Sequence, residues 1–361
     1  LLGIVYAALG AFTFALNNVM MRRGVVTGSV MQGMALTVPF GGLTFLAIAV
    51  AFGELRQLVM FPAAALAWLA GQGIVHFVFG RYCNYKSNQL MGVNLAAPVV
   101  QLQVPVAMLL AVLTLHESFT VLQAVGSVLM LGGSFITQSN ANSGRKASTP
   151  AGTAPPPNPA PIFRPRVFSG YVFALGAAVC YGASPLMARE GFLNAPGVGT
   201  AAGGCLAYAA ATLFFSFFLF RPGAWSDIMG TSRENLSWFL AAAVLVAISQ
   251  AFVYASLAVA PLMVVTPILQ LSLVFRLVLS QSINREHEVM NLAVVIGAFT
   301  AVLGSLLVSL DTNQLAAWLD LPPALTDFLR YRLAGGDGFG YFATCGRDGR
   351  VLALLGCRRR C

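Results

Sequence analysis

A few polar side chains sit inside long apolar runs, and their types limit the chemistry available. Asn17 and Asn18 fall in the first apolar run, Gln72 and His76 lie four apart in the third, and Asn94 and Gln101 flank Pro98 in the fourth. Further along, Tyr181 and Ser184 stand beside Pro185, Thr266 and Gln270 flank Pro267, and Tyr254 lies in the apolar run before them. Amides, hydroxyls and one imidazole in hydrocarbon are costly unless they turn toward protein or a wet cavity, so these are candidate solute-binding groups. His76 fits either a packed ring or a group that binds solute or relays a proton. Pro98 and Pro267 each remove a backbone donor, which predicts a kink at membrane depth.

The same inventory argues against catalysis. The chain has no HExxH, GxSxG or paired aspartates, so an intramembrane enzyme lacks its nucleophile, base or metal cluster. Its six cysteines show no metal-ligand or disulfide spacing, and neither a metal nor a cofactor is expected. Every Asp and Glu falls in a predicted loop, helix end or the tail, which disfavours cation/proton antiport and favours a neutral or zwitterionic solute. Glu117 and Glu288 each precede a helix, where a negative charge suits the N-terminus. Arg276 lies in an apolar run, placed either to snorkel or to meet an anionic group.

These residues must be positioned by membrane helices. Charged residues make up 9% of the 361 positions and apolar ones 58%, against about 25% charged in an ordinary soluble domain. Net charge is +9, but seven of 21 basic residues follow position 329, so nucleic acid is not implied. About 20 apolar residues cross a bilayer as a helix. Ten such stretches recur: 2–21, 32–52, 63–83, 89–115, 122–137, 169–187, 199–220, 236–257, 261–281 and 290–310. Residues 1–21 lack a small-residue cleavage site and are expected to form a span.

The chain also repeats itself. Gly3, Ala7, Met20, Arg22 and Gly24 align with Gly170, Ala174, Met187, Arg189 and Gly191 at a displacement of 167. Pro98 and Gln101 meet Pro267 and Gln270 at 169, and Glu117, Gly126 and Gly133 meet Glu288, Gly297 and Gly304 at 171. Five spans per half is an odd number, so the second half enters from the opposite face and the repeats are inverted. The expected fold is an all-α integral membrane protein of ten transmembrane helices in two inverted five-helix repeats. The first repeat covers 1–137, a Pro/Ser/Ala-rich linker 138–168, the second repeat 169–310, and a tail of unassigned, dispensable character 311–361. Gly126, Gly132, Gly133, Gly297 and Gly304 are expected at close helix crossings.

Ten spans, a Pro-containing fourth helix (Leu95 to Gly133 and Val264 to Ser305 contain the two versions), a loop Glu and spaced glycines resemble the EamA-type branch of the drug/metabolite transporter superfamily. The resemblance covers about residues 1–310. It implies a multi-pass carrier in the cell (inner or plasma) membrane that moves an amino acid or other metabolite through a cavity between the repeats. Its partners are then the small-molecule solute, the lipid bilayer and, as an option, a second copy. A lipid or lipid-linked precursor flippase is the alternative, and a non-transport membrane protein a more distant one. The resemblance also implies cytoplasmic termini, whereas Arg and Lys cluster in loops after odd-numbered spans and argue the reverse.

Overall fold

A computed structural model describes residues 2–115, 119–141, 165–259, 268–310 and 312–334. The apolar runs form α1 (Leu2–Thr27), α2 (Val30–Ala51), α3 (Ala63–Gly73), α4 (Arg81–Met91), α5 (Val93–Val100), α6 (Gln103–Leu115) and α7 (Val121–Ala141). After the linker come α8 (Val167–Leu193), α9 (Thr200–Ser216), α10 (Ala224–Met229), α11 (Arg233–Val259), α12 (Ser272–Ile283) and α13 (Leu292–Ser309). Short helices α14 (Thr312–Leu319) and α15 (Pro323–Arg330) follow.

Seven helical stretches are long and apolar enough to cross a membrane: Leu2–Thr27, Val30–Ala51, Ala63–Met91, Val93–Thr114, Val167–Leu193, Thr200–Phe220 and Arg233–Val253. Shorter apolar helices cover Val121–Thr137, Ser272–Ile283 and Leu292–Val308. The protein is therefore a helical, multi-pass membrane protein. Outward faces carry exposed Leu43, Val50, Val128, Phe135, Val179 and Leu213, as a lipid-facing surface requires. Inward faces carry small residues such as Ala7, Ala11, Ala15, Ala174, Ala177 and Ala178, which let helix backbones approach.

Helix starts follow local chemistry. Ser29 caps α2 in a reciprocal capping box with Gln32, and the Asn291 side chain accepts from Val294 N at the start of α13. Between α4 and α5 the chain turns at Gly92 with φ +86°, and a Cβ there would fall onto the Glu288 carboxylate. Only glycine satisfies both conditions.

The helices associate across the two halves. α1 packs on α11 and α12, α8 packs on α3, α4 and α6, α2 packs on α9, and α7 packs on α13. At the last crossing Gly126 lies against the Gly304 carbonyl and Gly133 against the Gly297 carbonyl, so these two helices run antiparallel with backbones in contact. Gly132 faces open space, contrary to its expected place at a crossing.

One expected boundary needs amendment. The third span does not end near Cys83. It continues through a π-helical turn at Ile74–Gly80 into α4, because the polar run from Arg81 to Gln89 is absorbed by the protein interior rather than by water. The all-α expectation holds, with one minor addition: Phe119–Thr120 (β1) pairs antiparallel with Arg332–Ala334 (β2). That pairing, with Val121 N donating to Tyr331 O, ties part of the tail to the start of α7. Most of the linker, and residues 335–361, lie outside the described residues.

Candidate functional site

The fourth helix of the first half is broken. α5 ends at Val100, Gln101 and Leu102 form a turn, and α6 begins at Gln103. Pro105 has no N–H to offer the Gln101 carbonyl one turn back, so Val104 N takes that carbonyl at 3.1 Å, and Leu102 N bonds Val99 O at 3.1 Å. The same tightened pattern recurs 169 residues on, where Leu271 N bonds Ile268 O at 3.0 Å and Leu273 N bonds Gln270 O at 3.1 Å. Pro98 stands three residues before the first break, and its carbonyl accepts from Ser134 Oγ at 2.7 Å. Pro267 lies outside the described residues.

The two breaks meet at a cavity of about 210 Å³. Gln101 and Gln270 are both on its wall, and Gln101 Nε2 donates to Gln270 Oε1 at 2.6 Å. Gln103 Nε2 in turn donates to Gln101 Oε1 at 3.0 Å. Asn17, His76 and Tyr181 also line it. The His76 ring sits 4.6 Å from the Tyr181 ring and 4.8 Å from Phe77, within the π-helical turn. Such turns widen a helix and are frequent at functional sites.

The other sequence candidates are placed elsewhere. Gln72 Nε2 donates to Ser184 Oγ at 2.9 Å, and neither residue lines the cavity. Asn18 turns away, donating to Phe14 O and accepting from Asn84 and Asn88. Asn94 binds Ser280 and the Val289 carbonyl and holds helices together. The Tyr254 side chain, Thr266 and Glu117 lie outside the described residues.

Several cavity residues were not foreseen. Arg81, Asn84, Tyr85, Ser249 and Gln250 all line it. In the sequence Arg81 falls at the very end of the third expected span, 63–83, where the polar neighbours that follow point to the membrane boundary. The available signal was the unbroken helical stretch on either side, with no Gly-Pro or Asn-Gly turn until Gly92. Its guanidinium is buried, donates to Thr37 O at 2.9 Å and Tyr208 Oη at 3.0 Å, and lies 5.2 Å from the centre of the Phe77 ring. Asn17 Oδ1, His76 Nδ1 and Asn84 Oδ1 are buried without a hydrogen-bond partner among the described residues. Buried polar atoms are normally satisfied, so a polar guest or water is expected here.

A second unforeseen feature is structural. Arg22 and Glu288 form a buried ion pair, Nε to Oε1 at 3.3 Å. Arg22 also donates to Gln89 O and His287 O. Glu288 accepts from Val93 N at 2.8 Å and Asn94 N at 3.0 Å, so it caps α5 rather than the helix that follows it in sequence. Arg276 does not snorkel. It is 4% exposed, with its guanidinium 4.9 Å from the centre of the Phe14 ring.

Residues 1–138 match the EamA-like transporter family. This EamA-like segment contains α1 to α6, most of α7 and the first of the two broken helices. No curated protein matches the chain at a significant level. A solved crystal structure of a protein overlays with a TM-score of 0.47 at 18% identity, covering 87% of this chain and 99% of its own.

Proposed function

We propose that the chain is an EamA-like carrier of a small organic solute, with ten spans in two inverted five-helix repeats, working by alternating access in the cell membrane. The observation that carries this reading is the meeting of two equivalently broken helices, at Gln101 and Gln270, on the wall of a polar cavity. Discontinuous helices at a repeat interface are where carriers build solute sites, because the freed backbone groups line a cavity rather than lipid.

The packing supports the inverted repeat. Exchange each helix of one half for its counterpart, and α1 with α11 becomes α8 with the α3–α4 span, while α2 with α9 and α7 with α13 map onto themselves. The Gly126–Gly304 contact likewise becomes Gly297–Gly133. A two-fold axis crossing antiparallel helices at right angles lies in the membrane plane. Residues 1–137 and 169–310 are then the repeats, and 138–168 the linker.

The test is uptake by proteoliposomes containing the purified chain, from a mixture of radiolabelled or mass-resolved metabolites. Time-dependent accumulation above protein-free vesicles is expected, and none for any solute defeats the carrier reading. One observation favours the flippase alternative: a separate cavity of about 550 Å³ with apolar walls from Met31, Met34, Phe79, Phe215 and Phe218 and a charged end at Arg221 and Asp227. Scrambling of a fluorescent phospholipid in the same vesicles discriminates between the two.

A further inference from the structure

Resting on the carrier reading, we propose that the cavity takes an oxyanionic solute, a carboxylate or phosphate ester, and that Arg81 is its counter-charge. Three observations combine. Arg81 is 3% exposed yet lines the cavity, so its charge is removed from bulk water and still within reach of a guest. A guanidinium stays protonated and offers five N–H donors. The contacts to Thr37 O and Tyr208 Oη use two of them, and both acceptors are neutral.

Among the described residues, the cavity wall holds no compensating charge. No Asp or Glu is among its described lining residues. The buried carboxylate of Glu288 is already engaged by Arg22 and two backbone amides. A second buried cation, Arg276, stands behind the wall residue Phe14, and its Nε has no hydrogen-bond partner among the described residues. Buried charges in proteins are normally paired, because an isolated one loses its hydration without recompense. Stacking of Arg81 on Phe77 and Tyr208 offsets part of that loss. An incoming oxyanion supplies the rest, and it does so where Coulomb interaction is strong.

The remaining wall refines the class. Gln101, Gln103, Gln250 and Asn17 offer amide donors and acceptors that suit hydroxyl or carbonyl groups on the guest. An ammonium group finds no carboxylate among the described lining residues, so cations are disfavoured, and zwitterions bind less well than pure anions. The absence of mid-membrane acids in the sequence agrees with a zwitterion as well as an anion. The uncompensated Arg81 tips the choice to an anion.

The test compares charge-matched probes on the full chain in detergent and in proteoliposomes. Succinate, glycerol 3-phosphate, succinamide, glycerol, γ-aminobutyrate and putrescine are offered separately at equal concentration. Stabilisation against heating by the first two is expected, with little from their neutral analogues and none from putrescine, because only a ligand of the folded state raises its apparent stability. Arg81→Gln lowers the affinity for the oxyanions at least tenfold, and Arg81→Lys recovers part of it. Equal or better stabilisation by the neutral, zwitterionic or cationic probes overturns the proposal. So does an unchanged affinity in a folded Arg81→Gln protein. If Arg81→Gln does not fold, the wild-type probe series still decides. Oxyanion binding without uptake upholds the site and defeats the carrier, whereas uptake of a neutral solute alone upholds the carrier and defeats the oxyanion.

Discussion

Gln101 Nε2 donates to Gln270 Oε1 at 2.6 Å across the boundary between the two halves. Each amide sits at the break of its own fourth helix, and each is buried on the cavity wall. Gln101→Leu leaves the Gln270 carbonyl oxygen without this donor, and Gln270→Leu leaves the Gln101 amide without this acceptor, so either change is expected to weaken solute binding by about 1–3 kcal/mol. The double variant loses less than the sum, by roughly 0.5–3 kcal/mol of coupling. A double-mutant cycle on solute affinity measures this, and strict additivity shows that the pair does not act as a unit.

The buried Arg22–Glu288 pair predicts a stability loss rather than an activity loss. Glu288→Ala strips Arg22 of its anion and α5 of its cap, and a loss of about 3–5 kcal/mol is expected for a broken buried pair. Arg22→Met combined with Glu288→Met recovers part of that loss, because no charge is then left stranded. Thermal unfolding in detergent, followed by circular dichroism, gives the comparison.

His287 gives the protein a pH dependence. Partial burial, then the nearby charges of Arg22 and Arg23, hold its imidazole below the ordinary value of 6.5, with Glu286 acting the other way. The unfolded chain therefore binds a proton more readily than the folded one, so stability is undiminished above 6.5 and declines as the pH falls from there toward the folded value. Melting temperatures of wild type and His287→Gln at pH 5 and pH 7.5 test the sign. The variant is expected to lose less on acidification.

Glycine crossings separate two neighbours in sequence. A Cβ at Gly133 meets the Gly297 backbone, whereas one at Gly132 meets nothing. Gly133→Val is expected to destabilise by about 1–3 kcal/mol through overpacking, while Gly132→Val is tolerated. Equal effects on monodispersity and melting contradict the α7–α13 crossing.

The proposed inverted repeat predicts that Thr27 and Asn194, equivalent at a displacement of 167 and both exposed at helix ends, face opposite sides of the membrane. Cysteines placed there are labelled by an impermeant maleimide from one side each, after Cys83, Cys180, Cys205, Cys345, Cys357 and Cys361 have been replaced. Labelling of both from the outside of intact cells rules the arrangement out.

The membrane character and the positions of most apolar helices were legible in the sequence. Hydrophobic length and spaced glycines are one-dimensional properties that the bilayer and close helix packing read directly. The pairing of Gln101 with Gln270 was foreshadowed by the repeat, although the two amides bind each other as well as facing the cavity. Which polar residues reach the cavity was decided by the tertiary structure. Asn17 and Asn18 are adjacent, yet helix rotation points one at the cavity and the other at Asn84 and Asn88. Arg81 looks like a span-end residue and Glu288 like a loop residue because a charge ordinarily seeks water. Their places in the interior rest on partners 44 or more residues away, Thr37 and Tyr208 for Arg81 and Arg22, Val93 and Asn94 for Glu288. No local pattern announces such partners, since the energy that tolerates a buried charge is supplied by groups the chain brings together only when it folds.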